Sequence, residues 1–158
     1  MKFRLLNNEE QKAFDEDFKH FLITNGVSNE EWEELNAKKD QKAIDLVGVF
    51  SDTVFQKVME KIKVIELRAK GSLMVFNCSK DQIELIAISA KTDSTTVDFS
   101  STERIHQSLS NHASELQFFK QTKPYQKDRE REVFEMIEKG CLPSHIDFWN
   151  MLIKATEK

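Results

Sequence analysis

Val64-Ile65-Glu66-Leu67-Arg68, Leu73-Met74-Val75-Phe76-Asn77-Cys78 and Ile83-Glu84-Leu85-Ile86-Ala87-Ile88 follow one another, with Gly71-Ser72 and Ser79-Lys80-Asp81 as turn residues between them. Apolar side chains here recur at close to every second position, which is the period of a β-strand. Connections this short join only antiparallel neighbours, because a parallel pair needs a crossover of about a dozen residues or more. The stretch therefore reads as a three-stranded meander. Val97 and Phe99, beyond the polar loop Lys91-Thr92-Asp93-Ser94-Thr95-Thr96, are expected to add a fourth short edge strand.

Upstream the period lengthens to about 3.6. Ala43, Val47, Phe50, Val54, Val58 and Ile62 describe one long helix with a wide apolar face, and Gly48 inside it points to close packing against another element or to a kink. Before it, Asn7 with Glu10 has capping-box spacing and opens a helix carrying Phe14, Phe18, Phe21 and Leu22, which Asn25-Gly26 should close. Ser28 with Glu31 opens a second, short helix through Leu35. Downstream, Ser100 with Glu103 begins a helix on which Ile105, Leu109, Leu116 and Phe119 share a face. Another carries Val133, Phe134, Met136 and Ile137 to Gly140. After a turn at Cys141-Leu142-Pro143, a last helix capped by Ser144 with Asp147 holds Phe148, Trp149, Met151, Leu152 and Ile153.

The expected class is thus α+β, mainly helical, with a three- or four-stranded antiparallel meander flanked by N-terminal and C-terminal helices. A chain of 158 residues is of one-domain size. It is read as a single domain over 1–158, with a helical part at 1–62, the meander at 63–99 and a helical part at 100–158.

Composition excludes several functions. The 23 cationic and 27 anionic residues leave a net charge of −4, without the basic excess of a protein that lives on nucleic-acid phosphates. Lys120, Lys123, Lys127, Arg129 and Arg131 alternate with Asp128, Glu130 and Glu132, as on a solvated helix face. Only four glycines are present, none grouped into a phosphate cradle. Neither a signal-peptide core nor a run of about 18 apolar residues occurs, so a cytoplasmic protein with free thiols at Cys78 and Cys141 is expected.

No constellation of reactive groups stands out. His106 and His112 are six residues apart, on opposite sides of a helix, so no metal site is expected, and no cofactor is implied. Two weaker leads remain. Ser51 and Asp52 interrupt the long apolar helix, and with Cys78 and His145 they would be the polar groups of a site, if a pocket lay between sheet and central helix. Phe148, Trp149, Met151 and Leu152 spread over more of the last helix than one packing face needs, so they are read either as core packing or, in part, as a partner-binding surface.

Met1-Lys2-Phe3-Arg4, Trp32, Phe50-Ser51-Asp52 with Val54-Phe55, Lys61-Ile62 leading to Glu66, Phe76-Asn77-Cys78 and Asp81-Gln82-Ile83-Glu84-Leu85-Ile86 together resemble a family of short uncharacterised proteins of Bacteroidota, catalogued as a domain of unknown function. The likeness is strongest up to about Ala90. Phe3 and Val64 stand where tyrosine is expected. The resemblance implies a bacterial cytosolic protein and assigns no activity.

The expectation drawn from these residues is a non-enzymatic protein that binds another cytosolic protein, through the last helix or the outer sheet face, without direct nucleic-acid or membrane contact and with a homo-oligomer left open. The alternatives are a small enzyme or ligand-binding protein using the polar groups above, and an accessory factor of a ribonucleoprotein machine.

Overall fold

The computed structural model describes residues 1–91 and 97–157. Among them the chain forms seven helices and one five-stranded antiparallel sheet, an α+β fold. Of the loop expected at Lys91–Thr96, all but Lys91 lies outside the described residues. The chain divides into two compact units, Met1–Val58 and Met59–Lys158.

The first unit contains α1 (Asn8–Ala13), α2 (Asp15–Thr24), α3 (Asn29–Ala37) and most of α4 (Gln41–Lys61), whose last turn belongs to the second unit. Both N-terminal capping signals are realised: Asn7 and Glu10 close a reciprocal box, and the Ser28 hydroxyl accepts from the Glu31 N–H. The expected first helix is kinked into two at Phe14 (φ −106°, ψ 21°). Hydrogen bonds continue through the kink, Phe14 N–H to Glu10 O and Phe18 N–H to Phe14 O, so the apolar periodicity gives no warning of it. Gly26, at φ +75°, closes α2 with paired bonds from Gly26 N–H to Ile23 O and Val27 N–H to Leu22 O, the geometry that only a residue tolerant of the left-handed region provides cheaply. Phe18 and Phe21 pack on Phe50 with ring centroids 5.0 and 5.3 Å apart, and Phe18 meets Trp32 edge-on at 4.8 Å. A Cβ on buried Gly48 would meet only Met1 Cε, at 3.4 Å, an ordinary van der Waals distance to the end of a flexible side chain, and α4 runs through Gly48 without interruption.

The second unit is built on β1 (Val64–Arg68), β2 (Ser72–Cys78) and β3 (Gln82–Ala90), paired as the meander expected. Two further strands complete the order β4-β3-β2-β1-β5. The fourth strand is not at Val97 and Phe99, which are buried in irregular chain. It is β4 (Leu116–Pro124), a segment expected to continue the preceding helix. That helix, α5 (Thr102–Asn111), stops early, and a single 3-10 turn (Ala113–Glu115) leads into β4. Leu116 and Phe119 do fall at helical spacing from Ile105 and Leu109. The open edge of β3 nonetheless offers this segment pairing along its full length, from Ala90 opposite Leu116 to Gln82 opposite Pro124, and local periodicity cannot register such a long-range ladder.

The expected turn at Cys141-Leu142-Pro143 also becomes sheet, since β5 (Leu142–Pro143) pairs with Glu66 and Ile65 of β1. Between these edges lies α6 (Arg129–Glu138), and α7 (Ile146–Thr156) closes the chain. Two caps move by one residue. Ser101, not Ser100, caps α5, and His145 occupies the N-cap of α7 without a side-chain bond, while the Ser144 N–H donates to Val64 O.

Strand alternation sorts the side chains into two faces. On one, Val64, Leu73, Val75, Ile86 and Ile88 form a continuous core with Val97, Phe99, Ile105, Leu116, Trp149 and Leu152. On the other, Ile65, Phe76, Cys78 and Ile83 are buried near one end of the sheet, while the row Leu67, Met74, Ala87 and Phe119 at the other end is only partly covered or exposed.

Candidate functional site

The last helix divides its apolar residues between two tasks. Trp149 and Leu152 are buried in the core at 4% and 0% exposure, so they hold α7 to the sheet and offer no surface to a partner. Phe148, partly buried against the same core, and Met151, 43% exposed, instead line a groove between β1, α5 and α7. Helical spacing explains the split. Residues three apart, 149 and 152, share the inward face, and 148 and 151 share the adjoining one.

The groove has a volume of about 550 Å³. Ile105, Phe148 and Met151 give it apolar walls, and Glu66, Arg68, Thr102, His106, His145 and Asp147 supply polar groups. Glu66 and Arg68 reach it because they are two apart on β1 and so point to the same face. Glu66 is 4% exposed. Its carboxylate accepts from Arg68 Nε at 3.3 Å and Nη2 at 3.2 Å, and the same Nη2 donates to Thr102 Oγ1 at 3.0 Å. Burying a carboxylate requires such a partner, and a two-point guanidinium is the strongest available.

The four polar residues singled out from the sequence are not gathered into one site by any described feature. Ser51 and Asp52 belong to the first unit and are occupied there. The Ser51 hydroxyl donates to Val47 O at 2.6 Å and accepts from the Leu6 N–H at 3.0 Å. The Asp52 carboxylate accepts the Lys2 and Phe3 N–H groups at 2.7 and 2.9 Å. These two residues anchor the N-terminal segment. In the second unit, Cys78 has no exposed surface, does not line the groove, and burial pushes its thiol up to about 11. Cys141 is likewise a buried free thiol pushed upward by burial. Neither carries the depressed pKa of a reactive cysteine. Of the four, only His145 faces the groove.

In the basic run Lys120, Lys123, Lys127 and Arg131 are exposed as expected, the first two on β4 rather than on a helix, but Arg129 departs from a solvated face. Arg129 is 9% exposed at its side chain. Its guanidinium donates to Cys78 O at 3.0 Å, Met59 O at 3.0 Å and Ile62 O, tying the end of α4 to the end of β2. Beside it the Tyr125 hydroxyl donates to Ser79 O at 2.6 Å, and burial pushes that phenol up to about 12.

No group of three or more His, Cys, Asp or Glu among the described residues is placed to hold a metal ion. No helix among them is long and apolar enough to cross a membrane.

A family profile described as a family of unknown function, DUF6495, matches residues 1–157. The chain belongs to that family. No curated protein and no solved structure matches it. The DUF6495 match extends through β4, α6 and α7, beyond the part of the chain up to Ala90 in which the resemblance is strongest.

Two features of this DUF6495 chain escape sequence reasoning. Glu66 and Arg68 left a legible trace, a charged pair at strand spacing in an apolar run. The row Leu67, Met74, Ala87 and Phe119 left none, because its members meet only through the register of four strands, one of which reads as helix.

Proposed function

We propose that this is a cytoplasmic, non-enzymatic interaction protein whose docking surface is the outer sheet face and the β4 edge, and whose partner is a protein supplying an acidic, extended strand. The observation that carries this reading is the row just named. Leu67 opposes Met74, Met74 opposes Ala87, and Ala87 opposes Phe119, so four apolar side chains cross the sheet in one line. At the edge of the sheet, Phe119 is 58% exposed.

β4 is well suited to extension. It lies at one end of the sheet order, and from Gln117 to Pro124 every residue is exposed. An edge strand of this kind presents unpaired N–H and C=O groups to an incoming strand, and side-chain contacts then set the specificity. Its sequence, Leu116-Gln117-Phe118-Phe119-Lys120-Gln121-Thr122-Lys123-Pro124, contains two lysines and no acid, although the chain as a whole is acidic. Opposite charges across a strand pair are favourable and like charges unfavourable, so an acidic partner fits. In a self-pairing centred on the middle of β4, Lys120 would face its own copy.

The test is capture from native lysate by the wild-type chain and by Phe119→Glu, with hydrogen exchange measured on the complex. Binding should be lost in Phe119→Glu and retained in Met151→Glu, and the partner should slow exchange of the Leu116–Pro124 amides. A partner that Phe119→Glu still holds, or exchange in β4 that the partner leaves unchanged, contradicts the reading. So does a concentration-dependent homodimer that Phe119→Glu dissociates.

A further inference from the structure

The groove between β1, α5 and α7 lies on the opposite face of the sheet from that docking row and calls for a different kind of ligand. We infer that it is a binding site for a free amino acid with an apolar side chain. Three observations bear on this. The first is size, since about 550 Å³ falls within the range of small-molecule sites, roughly 300–1,000 Å³.

The second is an incompletely used cation. Arg68 is three-quarters buried, with 25% of its side chain exposed, and spends Nε and Nη2 on Glu66 and Thr102. Among the described residues nothing accepts from Nη1, whose two N–H groups remain for a carboxylate. Glu66 acts as a positioning residue, because its buried carboxylate fixes the plane and direction of the guanidinium.

The third is the charge balance. Asp147, exposed in the first turn of α7, lines the same groove and has no hydrogen bond or ion pair among the described residues. With the histidines neutral, Arg68, Glu66 and Asp147 sum to one negative charge. A phosphate dianion or a dicarboxylate would be repelled. A zwitterion is not, since its carboxylate meets Arg68 while its ammonium meets Asp147. Ile105, Phe148 and Met151 then receive the side chain.

Calorimetric titration of the full chain tests this with L-phenylalanine and L-leucine. The comparison compounds are 3-phenylpropionate, which lacks the ammonium, phenethylamine, which lacks the carboxylate, and inorganic phosphate. Saturable binding of the amino acids is expected, with both truncated compounds weaker and phosphate silent. Asp147→Asn, at an exposed position that leaves the fold intact, should weaken the amino acids roughly two- to fivefold, the range of one exposed ion pair, and leave 3-phenylpropionate no weaker, since the substitution only removes a charge that repels it. Met151→Glu should weaken both apolar amino acids. Arg68→Gln should cost tenfold or more, but it leaves Glu66 buried without its partner, so the other two variants decide if it fails to fold. No saturable binding of either amino acid overturns the inference, as does an affinity that Asp147→Asn does not change or a groove that prefers phosphate. Phe119→Glu should bind the amino acids normally, which separates failure of this site from failure of the docking surface.

Discussion

Replacing Arg129 by Met should cost this protein a large share of its stability, because one guanidinium supplies donors to three backbone carbonyls. Methionine keeps an apolar stem of similar reach and removes only the charged fork. The carbonyls of Cys78, Met59 and Ile62 then lose their donor. Met59 O keeps a second bond from the Ile62 N–H at 3.2 Å, so the other two carbonyls, with the Glu130 carboxylate that loses its 3.2 Å contact with Nη1, bear most of the loss. A buried acceptor left without a partner costs about 1–3 kcal/mol, and the lost charge at the C-terminal end of α4 adds a smaller helix-dipole contribution. The expected destabilisation is therefore about 3–5 kcal/mol. With a urea m-value of roughly 2 kcal/mol/M, the unfolding midpoint should fall by about 2 M at unchanged slope. Arg129→Lys keeps the charge but cannot reach three carbonyls at once, and should lose about half as much. A change below about 1 kcal/mol in Arg129→Met would refute the reasoning, since it would mean that water satisfies these carbonyls as well as the guanidinium does.

Three other outcomes follow from the same geometry. The Cys78 thiol is raised from 9.0 to about 11 and the Tyr125 phenol from 10.0 to about 12, both chiefly by burial, so the unfolded chain loses these protons at lower pH than the folded one. Their contribution is full below about pH 9 and is lost as pH rises toward 12. Urea midpoints should fall progressively over that window, and Cys78 should resist a thiol reagent at pH 8 until the chain unfolds. Asp52→Ala strands the Lys2 and Phe3 N–H groups and should cost about 1–3 kcal/mol, read as a lowered midpoint with faster exchange of those two amides. Trp149→Ala should cost about 3–5 kcal/mol as a core truncation, whereas Met151→Ala on the groove wall should stay under about 1 kcal/mol; equal losses in a thermal scan would contradict the division of α7 into two faces.

What the sequence determined by itself was whatever depends on near neighbours. The caps at Asn7 and Ser28 and the closure of α2 at Gly26 rest on contacts within a few residues, and the three-strand meander rests on hairpin pairings between strands that follow one another across short turns, both of which spacing encodes directly. Tertiary structure alone decided the rest. β4 became a strand because β3 offered it a full ladder of partners, and Leu142 and Pro143 became sheet because β1 had a free edge. The same holds for function. Ser51 and Asp52 turned out to hold the N-terminal segment and Cys78 to be sealed, while the groove and the apolar row were assembled from segments tens of residues apart. Periodicity tells which side of an element a residue occupies. It does not tell what stands opposite, and the free energy of a long-range pairing is set by that opposite partner.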